Sequence, residues 1–490
     1  MQQGDKQYPG FWTRTSLIQF GYGIWVNLTA MSIGLCYGFS AVQIPQLNAK
    51  DSDIHPSLFE DSLVASILTL AAPIGCVLCG YLADTIGRRK VLALTKLPLA
   101  LGWLFTGFAR NPIQIILGRL ILGIGCGMAM SSPRVYVTEI CLPNMRGVVA
   151  AMPNLFVAVG ITIQAALGSV FKWRILCYIC GTYSVVMLIA NFFLPETPYF
   201  VLMKDTEDKA KKSLTRFRGR DYDIDAEMVQ IIEFKSANNI EKLNFRELIR
   251  ALFKPSSCKP FFVIFSYFVA MQFAGVTILM MWTIEVLKAS KTSLDPRYGN
   301  IILGFTRLST ACLTTVLLFK VGRKALALVS AIGVGIISVF LGLYIHYATR
   351  PTILPQLCFM AYMVFATFGY YTIPFVVMCE LFPLQVRGLL GGLSLSSFNI
   401  LMFLATFCFP YLRDSLGFAF TVLMFGIISL LSAVFLYYFL PETKGLTLRE
   451  IEEYFKSGRS VRQSQTKLPA LMKDAANKSA TLLNKLKINK

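Results

Sequence analysis

The chain has 490 residues, 55% of them apolar and only 15% charged, with a net charge of +20 and a mean hydropathy of +0.58. A soluble chain of ordinary composition carries about 25% charged residues, so a water-soluble enzyme is excluded. The apolar runs are continuous rather than alternating, which excludes a β-barrel. The excess positive charge fits the cytosolic loops of a polytopic helical membrane protein better than a nucleic-acid surface, and no nucleic-acid partner is expected.

The first 16 residues are polar and lack the short apolar core and cleavage site of a signal peptide, so the first span is expected to direct insertion. Residues 1–19 are expected to be cytoplasmic. Crossing a bilayer takes about 20 apolar residues. Such runs fall at 20–44, 59–82, 91–109, 112–136, 147–170 and 175–194, and again at 259–286, 298–319, 325–347, 352–379, 388–411 and 417–440. They define spans 1 to 12 and two six-span bundles, 20–194 and 259–440.

Between the bundles, the charged segment 195–258 contains Asn244-Phe-Arg-Glu247, a capping-box pattern, and is expected to form several short cytoplasmic helices. The remainder, 441–490, is a tail rich in Lys and Ser beyond about residue 456, with the composition of a disordered segment. Of 47 basic residues, nine (Lys50, Arg110, Lys172, Arg174, Lys288, Lys291, Arg297, Arg350 and Arg413) fall in loops assigned to the outside. This bias places both termini in the cytosol.

The two histidines, His55 and His346, leave no material for His-based catalysis or a metal centre in the membrane. The twelve cysteines lie mostly within apolar runs and imply no disulfide framework. The pairs Cys76/Cys79 and Cys177/Cys180 resemble redox or zinc pairs, but inside helical apolar stretches they read as small core residues. Gly123-x-Gly125-x-Gly127 lies inside span 4, so it reads as close helix packing and not as a dinucleotide loop. The sequons at Asn27 and Asn477 fall in span 1 and in the cytosolic tail, where glycosylation is not expected.

Three motifs repeat in the same order about 240 residues apart. Asp84-x-x-Gly87-Arg88-Arg89 returns as Gly322-Arg323-Lys324, Glu139 with Arg146 returns as Glu380 with Arg387, and Pro195-Glu196-Thr197 returns as Pro441-Glu442-Thr443. A six-plus-six duplication of this kind suggests a transporter with its site between the halves.

These motifs, with Gly118-Arg119, Tyr136-Val-Thr-Glu139, Arg146-Gly147 and Pro441-Glu-Thr-Lys-Gly445, resemble the signatures of the sugar porters of the major facilitator superfamily. The run Ser66-Ile-Leu-Thr-Leu-Ala-Ala-Pro-Ile-Gly75 is most similar to insect facilitative trehalose transporters and their glucose-transporter relatives. The resemblance covers about residues 20–455. It implies an all-α membrane protein of twelve transmembrane helices in two pseudo-symmetric six-helix bundles. It also implies an inner salt-bridge network of Asp84, Arg88, Glu139, Arg146, Glu196, Arg323, Glu380, Arg387 and Glu442. Opposite charges on facing helices would latch when the inner gate closes; the plainer alternative is topological anchoring. Phe319-Lys320 stands before Gly322 where the family usually has an acid, so a looser C-terminal latch is expected.

The substrate positions depart further from the family. Span 7 reads Met271-Gln272-Phe273-Ala274-Gly275-Val276-Thr277, where one of two glutamines survives and Thr replaces Asn. Spans 5, 10 and 11 contribute Asn154-Leu155, Tyr371-Thr-Ile-Pro374-Phe375 and Phe398-Asn399. The expected substrate contacts are Gln272, Asn154, Thr277 and Asn399 with Phe375 stacking, each with interhelical hydrogen bonding as the alternative. Arg307, midway along span 8, is either a cavity donor, suited to an anionic or strongly hydrogen-bonding solute, or a structural residue bonded to carbonyls or Glu285.

The span 1 stretch Tyr37-Gly38-Phe39-Ser40 lacks the acid of the proton symporters. The expectation is uniport of trehalose or a hexose, without covalent chemistry, catalytic residues, metal or cofactor, by a monomer in the plasma membrane. Transport of another small solute, whether anionic or not, and a non-transporting nutrient sensor remain as alternatives.

Overall fold

In hydrocarbon every backbone polar group must be satisfied within the protein, and the chain answers with helices whose ends are fixed by its own side chains. Ser57 caps span 2 and exchanges hydrogen bonds with Glu60 in a capping box, and Asn111 caps span 4 with Pro112 at its first turn. The computed structural model describes residues 13–219, 222–229, 232, 252, 254–382, 386–444 and 455, without the side chains of 143, 144, 146–148, 150, 151, 319, 379, 387 and 388.

The N-terminal spans are Arg14–Leu47, Leu58–Ile86, the pair Arg88–Leu94 and Lys96–Gly107, Pro112–Ile140, Pro143–Val170 and Trp173–Asn191. The C-terminal spans are the trio Pro255–Phe273, Val276–Met281 and Thr283–Ala289, then Pro296–Lys320, Arg323–Tyr347, the pair Leu354–Phe368 and Ile373–Leu381, Arg387–Leu416 and Phe418–Phe439. Ten helices among the described residues are long and apolar enough to span a membrane by themselves. The two spans missing from that set, 3 and 7, are cut into shorter pieces. Span 3 is interrupted at Thr95 because Pro98 has no N–H to give the Leu94 carbonyl. Exposed apolar side chains such as Val77, Ile189, Ile336, Leu431 and Tyr438 form the lipid-facing surface.

The charged linker contains the short helices Pro198–Lys204 and Glu207–Arg218 and a helical turn over 224–229, in keeping with the sequence expectation. Arg218 ties it to the N-terminal bundle by donating to the Ile140 carbonyl at 2.6 Å and to Glu227 at 2.6 and 2.7 Å. The expected capping box at Asn244–Glu247, the first 12 residues and the tail beyond 455 lie outside the described residues.

Within the N-terminal bundle span 2 packs on span 4 and span 1 on span 5; within the C-terminal bundle span 9 packs on span 12. The halves meet through span 2 against span 11 and span 5 against span 8. The glycines of span 4 serve this packing. A Cβ on Gly123 would lie 2.2 Å from the Leu68 carbonyl oxygen, and one on Gly127 would lie 1.9 Å from that of Ala72. Gly75 of span 2 meets the Ile124 carbonyl at 2.0 Å in the same sense, so two backbones touch with no side chain between them. Cys76 and Cys79 of span 2 and Cys177 and Cys180 of span 6 are buried free thiols.

Replacing Gly127 by Leu is expected to force spans 2 and 4 apart and lower stability by several kcal/mol, beyond the 1–3 kcal/mol of about one extra methylene. The unfolding midpoint of the detergent-purified variant measures this, and an unchanged midpoint would refute the contact.

Candidate functional site

Two C-terminal spans break where they face the middle of the molecule. Span 7 ends its first piece at Phe273, turns through Ala274 and Gly275, and restarts at Val276. Gly275 has φ +80°, a left-handed conformation that glycine adopts without cost. Span 10 breaks between Phe368 and Ile373, just before Pro374. Neither break shows in the apolar runs, and together they free polar atoms that continuous helices would consume.

Beside the breaks lies a cavity of about 810 Å³, counting its mouth, lined by spans 1, 4 and 5 from one half and 7, 8, 10 and 11 from the other. Four of the six expected contact residues line it: Asn154, Thr277, Arg307 and Phe375. Phe375 sits in an aromatic cluster, 5.5 Å from Phe268 and 5.2 Å from Phe398 between ring centroids. Gln272 and Asn399 are wholly buried behind the lining. Gln272 accepts from the Thr277 hydroxyl at 2.5 Å through Oε1, and its amide nitrogen Nε2 has no partner among the described residues. Asn399 donates back to the Leu395 carbonyl of its own helix at 2.8 Å and lies 3.7 Å from the Met130 sulfur.

Arg307 is 6% exposed. Its guanidinium lies 3.9 Å from the Tyr371 ring centroid, and Nη1 is 2.9 Å from the Met280 sulfur. The anticipated bond to Glu285 does not form: that carboxylate pairs with Lys288 at 3.0 Å.

The duplicated motif charges assemble at the linker end of each bundle, and among the described residues each ion pair stays inside one half. In the N-terminal half Arg88 reaches Glu139 at 2.9 Å and Asp84 at 3.1 Å and donates to the Ala83 carbonyl. Thr197 donates to the second oxygen of Glu139, and Glu196 accepts from the Arg89 amide at 3.0 Å. In the C-terminal half Arg323 reaches Glu380 at 3.0 Å, Thr443 donates to Glu380, and Glu442 accepts from the Arg323 and Lys324 amides at 2.9 and 3.1 Å. The second assembly has no equivalent of the Asp84 contact among the described residues, and Arg323 is more exposed than Arg88, at 20% against 9%. The side chains of Arg146 and Arg387 lie outside the described residues. Among the described residues no ion pair bridges the halves.

Residues 15–455 match the family model described as "Sugar (and other) transporter". The chain belongs to this family. It is 29% identical to the facilitated trehalose transporter Tret1 of Apis mellifera ligustica over 80% of this chain and 79% of the relative. It is 27% identical to the human solute carrier family 2, facilitated glucose transporter member 6, over 87% of this chain and 89% of that protein. Against the Tret1 of Drosophila mojavensis it is also 27% identical but spans only half of the relative's length. The fold matches the inward-open xylose transporter XylE from E. coli with a TM-score of 0.74 at 19% identity, covering 89% of this chain and 99% of that one. The chain is therefore a major facilitator sugar porter by family and fold, a multi-pass membrane transporter and not an enzyme.

Several residues of this porter escaped the sequence reading. Tyr371 forms the platform under Arg307 and donates from its hydroxyl to the Val276 carbonyl at the span 7 break, 2.7 Å away. Arg134 lines the cavity over the Phe375 ring, 5.6 Å from its centroid. Lys96 is wholly buried, donating to the Ser32 hydroxyl at 2.6 Å with the Tyr183 ring 5.0 Å away. A lone Lys two residues before Pro98 in an apolar run was the available signal. Arg119, expected from the family motif, is buried against Ser40 and Gln43.

Removing one partner of a buried ion pair strands the other charge, at a cost of about 3–5 kcal/mol. Arg88→Met is expected to approach that loss, and Arg323→Met, in the more exposed assembly, to lose less. Thermal midpoints of the two purified variants test this order, and equal losses would contradict it.

Proposed function

We propose that this chain is a facilitative uniporter of trehalose or a hexose that works by alternating access. The observation that carries the reading is one cavity lined from both bundles and centred on two broken helices, the arrangement expected of a transporter whose halves rock about a fixed site. The similarity to facilitated trehalose and glucose transporters supports the sugar.

Asn154 and Thr277 supply hydrogen bonds to the solute and Phe375 an apolar ring face. Gln272 acts through Thr277, and Asn399 positions Met130 and span 11 from behind. The bundles 20–194 and 259–440 move as bodies, with 195–258 as a cytoplasmic tether. Asp84, Arg88, Glu139 and Glu196 brace one body at its inner end, and Arg323, Glu380 and Glu442 brace the other, with Arg146 and Arg387 completing the two sets. Substrate binding supplies the free-energy difference between the outward- and inward-facing states. The protein acts as a monomer in the plasma membrane with both termini cytoplasmic.

What supports uniport in this reading is a lining that among the described residues contains no Asp or Glu to carry a proton with the solute. Proteoliposomes of purified protein are expected to take up labelled trehalose or glucose saturably and to equilibrate without accumulation. An inward proton gradient at clamped membrane potential should leave the rate unchanged. Accumulation driven by that gradient would replace uniport by symport, and failure to move either sugar would remove the sugar reading.

A further inference from the structure

The cavity offers more hydrogen-bond donors than acceptors, and its lining carries positive charge without negative charge. Its threonine hydroxyls are already spent as donors: Thr277 on Gln272, Thr367 on the Met363 carbonyl at 2.7 Å and Thr372 on the Thr367 carbonyl at 3.0 Å. The Tyr371 hydroxyl is spent on Val276. Besides Arg134 and Asn154, which also line the cavity, two strong donors stand out. Arg307, from span 8, has five N–H groups, and its partners among the described residues, the Met280 thioether and the Tyr371 side chain, leave most of them unused. Tyr37, from span 1, is 5% exposed, lines the cavity, and its hydroxyl has no hydrogen-bond partner among the described residues. Arg307 is held in place by the Tyr371 ring, and that ring is itself fixed by its hydroxyl bond to the span 7 backbone. The guanidinium is thus presented to the cavity with its geometry set and its counter-charge missing. A neutral hexose can accept single hydrogen bonds from a guanidinium but brings no charge to pair with it, whereas a carboxylate or phosphate accepts the paired N–H bonds it presents and neutralises it.

We propose that this porter selects a sugar bearing one anionic group, a carboxylate or a phosphate ester, with the anion docked between the Arg307 guanidinium and the Tyr37 hydroxyl. The proposal rests on the sugar-transport reading and names its substrate class. Arg307 and Tyr37 belong to opposite halves, so an anion held by both favours the state in which the bundles close around it. An anion carried alone also moves charge, so its uptake responds to membrane potential and that of glucose does not.

The test uses the purified full-length chain in proteoliposomes with labelled glucuronate, glucose 6-phosphate and glucose, at inside-positive and at zero potential. Transport of either anion is expected to exceed that of glucose by about tenfold in kcat/KM, the worth of a charge-assisted hydrogen bond, and to accelerate at inside-positive potential. Glucuronate alone moving assigns the carboxylate, and glucose 6-phosphate alone the phosphate; either supports the proposal. Arg307→Gln and, independently, Tyr37→Phe should each lower the ratio of anion to glucose transport, with the loss in KM more than in kcat. Glucose moving while neither anion does overturns the anion site and leaves the sugar porter standing. No solute moving, with folded protein, overturns both. An anion preference unchanged in both variants overturns the assignment to these residues.

Discussion

Everything in this molecule depends on the requirement that backbone N–H and C=O groups be satisfied inside hydrocarbon. That requirement makes every described membrane segment helical, and it makes any departure from a helix costly unless protein or a cavity compensates. The two departures near the centre, at Gly275 in span 7 and at Gly369–Thr372 in span 10, both border the cavity. The Tyr371 hydroxyl, placed by the second break, binds the Val276 carbonyl at the first. The breaks therefore support one another, and the polar surface of the site is built largely from atoms and side chains that regular helices would have hidden.

The charged groups follow a second rule, that a buried ion needs a partner. At the linker end the rule is met within each half: Arg88 with Asp84 and Glu139, Arg323 with Glu380, and the Glu196 and Glu442 carboxylates on helix-terminal amides. Such pairs make each bundle stiffer without joining it to the other, which suits bodies that must separate and re-dock. In the middle of the membrane the rule is relaxed. An arginine at the centre of a span costs about 2.5–3.5 kcal/mol, and a desolvated cation–π contact returns about 2 kcal/mol of it. Arg307 over Tyr371 is therefore close to neutral as it stands, yet still has most of its donors to give.

Much of this was legible in the sequence, because the signals concerned are local. Apolar runs of bilayer length gave the spans, and duplicated charged motifs gave the halves; Glu139 and Glu380 each meet a basic residue. Their partners in space, Arg88 and Arg323, come from neighbouring helices about 50 residues away, which spacing alone does not encode. The breaks were illegible because Gly275 and Gly369 are small residues inside apolar runs and leave hydropathy unchanged. The span 7 break separates Gln272, which stands behind the lining, from Thr277, which stands in it, while Asn399 of the unbroken span 11 is also buried behind the lining. Lys96 escaped because one polar residue hardly alters a long apolar run, although its burial against Ser32 and Tyr183 sets it apart from every loop lysine.

The backbone contact between spans 2 and 4 has a bearing on how such a chain can change over time. Where Gly75, Gly123 and Gly127 bring two helices together, no side chain is available to be exchanged for another of similar volume. Drift is then confined to two surfaces, the one toward lipid, where most apolar residues serve equally, and the one toward the cavity, where each replacement changes what is carried. A new cargo can thus arise by repainting the cavity wall while the frame that moves it stays as it is.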